Sequence, residues 1–319
     1  MSHSNKRGLL ASLLVAAVAL LVGAGLLLGG TGPKATRAAP PQEKDTSQYI
    51  GSENCKACHE DLPTKGFYAH FETTVHWKTM LEARRGPEYQ GCEACHGPGA
   101  EHMNGGGDKT KIFSFNTASA KQISQHCLKC HQYGEEHANF ARSAHNVNDV
   151  TCTDCHSVHK AKERQYLLKA KQPDLCYSCH LSIKPEFARP FRHRVNEGLL
   201  KCTDCHNQHG GFLTRSLRST SAQDTVCFKC HADKAGPFAF EHQPVKTEGC
   251  VICHVPHGSS NMRLLRRSQI NLLCLECHTL SGGGLPPQGP NHDQSQKYQS
   301  CTICHTQIHG SNTSNVFFQ

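Results

Sequence analysis

The pattern C-x-x-C-H occurs ten times in this sequence, and the ten copies use all twenty of its cysteines. Histidine accounts for only 24 of the 319 residues, so chance would place it after about one of the ten cysteine pairs at most. A histidine after every pair is therefore a requirement of whatever each pair binds. We number the motifs one to ten along the chain.

Three kinds of site could use so many cysteine pairs. Disulfides would suit an exported chain but give no reason for a histidine after each pair. Zinc sites combine two such pairs, or add histidines at longer spacings, and also leave the adjacent histidine unexplained. Covalent attachment of haem c uses the whole motif, because two thiols form thioethers with one haem and the next histidine becomes an axial iron ligand. We therefore predict ten covalently attached haem c groups.

Each motif contributes two cysteines and one histidine to its predicted haem site. The predicted thioether cysteines are Cys55, Cys58, Cys92, Cys95, Cys127, Cys130, Cys152, Cys155, Cys176, Cys179, Cys202, Cys205, Cys227, Cys230, Cys250, Cys253, Cys274, Cys277, Cys301 and Cys304. The predicted proximal iron ligands, called motif histidines below, are His59, His96, His131, His156, His180, His206, His231, His254, His278 and His305.

The histidines outside the motifs suffice to give every iron a second axial ligand. Of the 24 histidines, ten are in motifs and His3 lies in the N-terminal leader, which leaves thirteen. Methionine, the usual alternative ligand, occurs only four times in the chain. The sequence therefore predicts bis-histidine irons, whose reduction potentials are low because no methionine ligand raises them.

Ten of these thirteen histidines fall into two regular groups, and these ten are the predicted distal iron ligands. A trailing histidine follows each even-numbered motif, and the five are His102, His159, His209, His257 and His309. An inter-motif histidine lies between each odd-numbered motif and the next motif, and the five are His76, His145, His193, His242 and His292. Three histidines are surplus, His70, His126 and His137, although His70 could replace His76 and His137 could replace His145.

The trailing histidines cannot serve the haem of their own motif. His159 lies three residues after His156, and His209 lies three residues after His206. Three residues span at most about 10 Å when fully extended, which is too short a path around a porphyrin to its other face. Each trailing histidine is therefore predicted to bind the iron of a neighbouring haem, so that one short peptide holds two haems close together.

The order odd motif, inter-motif histidine, even motif and trailing histidine recurs five times, beginning near residues 55, 127, 176, 227 and 274. Such self-similarity is typical of stacked units. Apolar residues make up 37% of the chain, below the roughly 45–50% of ordinary globular proteins, and haem macrocycles would supply the missing apolar area. We predict a multihaem cytochrome c fold, mostly irregular with short α-helices and little or no β-sheet. Its ten covalently bound haems would form an elongated array of five two-haem repeats.

The N-terminus is distinct from the haem region. Residues 9–30 follow a basic start and contain no charged side chain. This apolar segment of 22 residues is long enough to span a bilayer. Small residues at 34–40 could instead form a signal-peptidase site, and both interpretations stay open. In either case the haem region is exported to the periplasm. We assign residues 1–30 to a signal or membrane anchor, 31–50 to a linker and 51–319 to the decahaem domain.

The formal net charge of +8 does not indicate nucleic-acid binding. Ten haems would add about twenty propionates and ten irons, which brings the ferric holoprotein close to neutrality. The lysines and arginines are therefore expected to solvate the surface and to pair with propionates.

With ten such motifs in its exported region, the chain resembles the MtrA/DmsE family of decahaem c-type cytochromes. The resemblance covers residues 51 to about 310 and includes the alternation of C-x-x-C-H with C-x-x-C-H-x-x-H and phrases such as CTDCHNQHG and GCVICHVPHGS. It implies an elongated haem wire in the periplasm. Its partners would be inner-membrane quinol-linked or periplasmic cytochromes, a porin-like outer-membrane barrel, and an extracellular cytochrome or reductase. A retained anchor at residues 9–30 departs from the cleaved signals of that family.

Two functions follow from these features. The first is electron transfer without chemistry of its own, between inner-membrane or periplasmic donors and an outer-membrane or extracellular acceptor, or the reverse. The alternative is a multihaem reductase of a small oxyanion such as nitrite, which needs one iron with an open axial position. All ten motifs are complete and the distal histidines suffice for every iron, so the sequence favours a carrier over an enzyme.

Overall fold

The computed structural model describes residues 45–60, 67–218, 225–278 and 300–319. Contacts divide the chain into two units, Met1–Asp45 and Thr46–Gln319, and the description below concerns the second. The predicted anchor, most of the predicted linker and His292 lie outside the described residues. In the described part of the chain, no helix combines the length and the apolar character needed to cross a membrane.

Short helices joined by irregular segments make up the described chain. The α-helices are α1 Ser52–His59, α2 Phe67–Glu72, α3 Glu93–His96, α4 Ala100–Asn104, α5 Ala120–His131, α6 Ala144–Val147, α7 Cys152–Cys155, α8 Asp174–Tyr177, α9 Cys202–Cys205, α10 Thr225–Phe228, α11 Gln243–Thr247 and α12 Ile270–Cys274. Short 3-10 helices lie between and after them, and the longest described one is Val75–Leu81. Strands β1 Phe240–Glu241 and β2 Gly310–Ser311 pair antiparallel. The prediction of a mostly irregular fold with short helices and little sheet is confirmed.

The motifs themselves form the helical turns, and the motif sequence explains why. In CTDCH of motif four, the Asp154 carboxylate accepts the backbone amide of Thr151 at 2.6 Å, and in motif six Asp204 accepts that of Lys201 at 2.7 Å. An acidic side chain at the third helical position satisfies an amide that has no partner within the helix. These aspartates therefore fix the turn that carries both cysteines.

The described protein has only a small apolar core of its own. The largest cluster of buried side chains contains Tyr177, Phe187 and Val195, and no described large side chain is less than 2% exposed. Ordinary domains bury far more of their large apolar side chains. The low apolar content of the chain thus gives a protein interior with few buried side chains. This is expected if bound haem macrocycles supply the rest of the apolar interior.

Glu93 holds the first two motifs together. Its side chain is only 4% exposed, and its two oxygens accept the backbone amides of Ile50 at 3.0 Å, Gly51 at 2.8 Å and Gly99 at 2.8 Å. Ile50 and Gly51 precede α1, which carries motif one, whereas Glu93 lies inside motif two. One carboxylate therefore joins the start of the domain to the second motif.

Replacing Glu93 with alanine should leave three backbone amides without an acceptor, that of Gly99 buried and those of Ile50 and Gly51 partly buried. The loss of the acceptor of a buried donor costs about 1–3 kcal/mol. We expect the free energy of unfolding of the holoprotein to fall by about 3 kcal/mol or more, measured by denaturant titration. Glu101→Ala is the control, because that carboxylate is 67% exposed and pairs with Lys111 in the described structure. An equal loss of stability in both variants would contradict the role assigned to Glu93.

Candidate haem-binding sites

Within the described residues, nine motif histidines each face a histidine from outside the motifs. The ring centroids of these nine facing pairs are 6.0–6.4 Å apart. The pairs are His59–His102, His96–His159, His131–His76, His156–His209, His180–His145, His206–His257, His231–His193, His254–His309 and His278–His242. The structure thus brings nine of the ten predicted distal histidines to a motif histidine, and the tenth, His292, lies outside the described residues.

The spacing of the facing pairs fits two imidazoles on one metal. A metal–imidazole bond is about 2.0–2.1 Å long, so two such bonds separate the ring nitrogens by about 4 Å and the ring centroids by about 6 Å. Rings in direct contact lie much closer, as His126 and Phe113 do at 3.7 Å. The angle between the paired planes varies from 12° to 65°, because rotation about the shared axis leaves the centroid distance unchanged. These residues therefore fit a bis-histidine haem.

The facing pairs exchange histidines between successive repeats. In each even-numbered motif from two to eight, the motif histidine faces the trailing histidine of the following repeat, as His156 faces His209. In each odd-numbered motif from three to nine, it faces the inter-motif histidine of the preceding repeat, as His180 faces His145. Each junction between repeats thus contains two reciprocal pairs. His59–His102 is different because both residues belong to the first repeat.

Backbone carbonyls orient the motif histidines of the even-numbered motifs. The Nδ1 atoms contact the carbonyl oxygens of Phe113, Tyr166, Arg215, Arg263 and Val316 at 2.6–2.9 Å. A carbonyl oxygen can only accept, so Nδ1 must carry the proton and donate it. Nε2 is then the unprotonated nitrogen that can bind iron, and this second contact fixes the ring orientation.

Three of these carbonyls belong to residues in the left-handed region, with φ of 62° at Tyr166, 59° at Arg215 and 58° at Arg263. Such backbone costs a residue other than glycine about 1–2 kcal/mol. The amide of the residue after each motif histidine closes the turn, as the Asn207 amide does by donating to the Ser216 carbonyl at 2.7 Å. The sequence analysis did not predict these turns. The signal that could have shown them is a leucine two residues after each left-handed residue, which forms a β-bridge with the motif histidine.

The trailing segments also orient the inter-motif histidines of the preceding repeat. The carbonyl just before trailing His209, that of Gln208, accepts Nδ1–H of His145 at 2.8 Å. The carbonyl just before His257, that of Pro256, accepts Nδ1–H of His193 at 2.7 Å. One short trailing segment therefore supplies a ring to one site and orients a ring at the next.

Contacts between thiols give the spatial order of the motifs. A hydrogen bond from the Cys55 thiol lowers the pKa of Cys92 to about 6, and the same bond raises the pKa of Cys55. A hydrogen bond between thiols also joins the first cysteines of motifs three and four, and those of motifs five and six. In motifs two, four, six and eight, burial raises the pKa of the second cysteine, and the second cysteine of the following motif adds to it. Neighbours in sequence are thus neighbours in space.

Burial keeps several of the paired rings neutral. It is the main cause that lowers the pKa of His209 and of His309 to about 4. It also lowers the pKa of His76, His96 and His159. Neutral imidazole is the form that binds a metal, so these sites are prepared for ligation near neutral pH.

The three surplus histidines lie outside the facing pairs. His126 stacks on Phe113 and its Nδ1 contacts the Cys95 carbonyl at 3.0 Å. His137 lies 4.4 Å from the ring of His209, and His70 is exposed on α2. Throughout the described ranges, no three side chains of histidine, cysteine, aspartate or glutamate converge on a point that could hold a bare metal ion.

Comparison with known proteins agrees with this geometry. The family model described as the doubled CXXCH motif matches residues 145–184, 193–236 and 242–281. The multiheme cytochrome MtrA of Shewanella baltica is 34% identical to this chain over 276 residues, which cover 82% of the chain and 79% of that protein. The chain belongs to the MtrA family of multihaem cytochromes. As a member of this family it carries covalently bound haem c and transports electrons.

A second relative is more distant. The high-molecular-weight cytochrome c of Nitratidesulfovibrio vulgaris is 25% identical over 213 residues, which cover 58% of this MtrA-family chain and 34% of that protein.

The positions of the doubled-motif matches agree with the facing pairs. Each match begins at the inter-motif histidine that faces the second motif histidine of the same match, as His145 faces His180.

Proposed function

We propose that this MtrA-family cytochrome holds ten bis-histidine haems and conducts electrons along its motifs in sequence order. The nine facing pairs at 6.0–6.4 Å are the observation that supports this most. Each motif would bind one haem through its two cysteines and its histidine, with the paired histidine on the other face. For His305, the distal ligand that we propose is His292.

When bound, each haem supplies an iron that alternates between the ferric and ferrous states. The protein chain would contribute by holding the haems in fixed positions relative to one another. The reciprocal histidine exchange would fix neighbouring macrocycles against each other, and the carbonyl bonds to Nδ1 would hold the rings in one orientation. The interactions between cysteines of successive motifs, at each step from motif one to motif seven and from motif eight to motif ten, support a path in sequence order.

We propose that the protein is a carrier and not an enzyme. Reduction of a substrate such as nitrite at iron requires an axial position that the substrate can occupy. Two imidazoles face each other in every described pair, so neither face of the bound iron would be open. This supports electron transfer over the alternative of an oxyanion reductase.

We further propose that the haem region works in the periplasm and connects inner-membrane or periplasmic donors with an outer-membrane or extracellular acceptor. The MtrA family membership and the uncharged segment at residues 9–30 support this proposal. A porin-like barrel would be the partner at the outer membrane, and electrons could travel in either direction.

Membrane fractionation tests this placement. We expect the native holoprotein in periplasmic or outer-membrane fractions, where affinity purification should recover a β-barrel protein in equal amount. The control is a variant in which residues 9–30 are replaced by a cleavable signal, which should behave identically. Recovery of the native protein solely with the inner membrane, with residues 9–30 intact, would contradict the barrel partner.

A further inference from the structure

One trailing histidine has a partner that distinguishes it from the others. His257 Nδ1 lies 2.9 Å from Oε2 of Glu186, and both side chains are about 30% exposed. The Nδ1 atom of trailing His209 instead lies 3.4 Å from the side-chain amide of Gln208. In the other facing pairs for which the described structure gives an Nδ1 hydrogen bond, the partner is a backbone carbonyl. A carboxylate therefore meets a paired ring at the motif-six site.

The fold holds Glu186 against this ring. Glu186 begins a 3-10 turn, Glu186–Ala188, whose Phe187 is buried and lies 5.0 Å from the His257 ring. The Arg189 guanidinium donates to the Gly258 carbonyl at 2.9 Å. Glycine at 258 lets the two segments meet, since a Cβ there would fall closer than 3.0 Å to the Glu186 carbonyl oxygen. The carboxylate is thus positioned by packing on both sides.

At the neighbouring junctions the nearby carboxylates pair with basic side chains: Glu136 raises the pKa of His209 but is bonded to Arg218, and Asp233 raises that of His309 but pairs with Lys234. The glycine after trailing His209 is Gly210, and it packs against the backbone of Asn139. The glycine after trailing His309 is Gly310, and it packs against Phe238. Among the described facing pairs, the direct hydrogen bond between a carboxylate and a paired ring is therefore a feature of the motif-six site.

We propose that Glu186 makes the motif-six haem, between His206 and His257, the most reducing of the even-numbered sites; this rests on the ligation proposed above. A carboxylate that accepts the Nδ1 proton makes the opposite nitrogen a stronger donor. Stronger donation stabilises the ferric state over the ferrous state and lowers the reduction potential of that iron. No bond breaks, and the effect is carried by the hydrogen bond alone.

Glu186→Gln in the full-length holoprotein tests this role. A redox titration followed by electron paramagnetic resonance should show one low-spin iron in ten shifted to a more positive potential, with changed g-values, while all irons stay low-spin. Glu197→Gln is the matched control, because that carboxylate is 33% exposed, lies in the same repeat and pairs with Arg192 rather than with a histidine. The control should leave every potential unchanged.

Other outcomes would overturn the proposal. These are no shift, a shift to more negative potential, an equal shift in Glu197→Gln, or conversion of one iron to high spin, which would mean that Glu186 merely holds His257 in place. Glu186→Ala provides a second variant and should move the same iron in the same direction. Failure of the underlying ligation is recognised separately, because the unmodified protein would then itself lack ten low-spin irons.

Discussion

Replacing His209 with alanine is expected to convert one iron in ten from low spin to high spin, and that iron is the one bound by motif four. The His209 ring faces His156 at 6.1 Å with 19° between the ring planes. The motif that His209 follows has a different partner, because His206 faces His257. Removing the ring should therefore open one axial position at a neighbour while all ten haems stay attached through their cysteines.

Haem quantification and electron paramagnetic resonance of the oxidised variant measure both parts of this expectation. His70→Ala is the matched control, since that ring is exposed and its hydrogen bonds to Thr73 use its backbone carbonyl. The control should keep ten low-spin irons. If His209→Ala also kept ten low-spin irons, the assignment of trailing histidines to the preceding repeat would be wrong.

Replacing Gly258 with alanine should disturb two haem sites at once and destabilise the protein. The new methyl group would collide with the backbone carbonyl of Glu186, which cannot move aside as a flexible side chain could. Overpacking of this kind costs about 1–3 kcal/mol. The displaced segment contains His257, which faces His206, and the Pro256 carbonyl, which orients His193. We expect a lower thermal midpoint and altered low-spin signals from two irons.

The control for this variant is Gly134→Ala. The nearest atoms to a Cβ at that position are the His137 ring nitrogen at 3.3 Å and a backbone oxygen at 3.9 Å, so a small side-chain movement accommodates it. Calorimetry and electron paramagnetic resonance of both holoproteins make the comparison. A Gly258→Ala protein with the stability and spectrum of the unmodified protein would show that the junction does not depend on this close approach.

The local features of the sites could be predicted from the sequence, because they depend on short spacings. C-x-x-C-H specifies its own chemistry, and the three-residue tether from His206 excludes His209 as a ligand of the same haem. Composition predicted a thin core, and the short helices and very small sheet agree with that prediction. These inferences depend only on composition and on distances between residues that are close in sequence.

The exchange between repeats could not be predicted, because tether length does not say which neighbour a trailing histidine faces. That choice depends on long-range packing, such as the contact of the Gly258 segment with Glu186. The left-handed turn at Arg215 was missed for a related reason, because the hydrogen bonds that favour its strained backbone involve His206 and Asn207, which lie about nine residues earlier in the chain. Glu93 and Glu186 act over 40 to 70 residues of sequence, and neither differs locally from a surface glutamate.

The spectrum of the oxidised full-length holoprotein tests the central claim most directly. Electron paramagnetic resonance, combined with haem determination on the same sample, counts both the haems and their spin states. We predict ten haem c groups per chain and low-spin ferric signals alone, including that of motif ten, whose proposed distal ligand is His292. A high-spin ferric signal equivalent to one iron or more per chain would contradict a fully bis-histidine electron carrier.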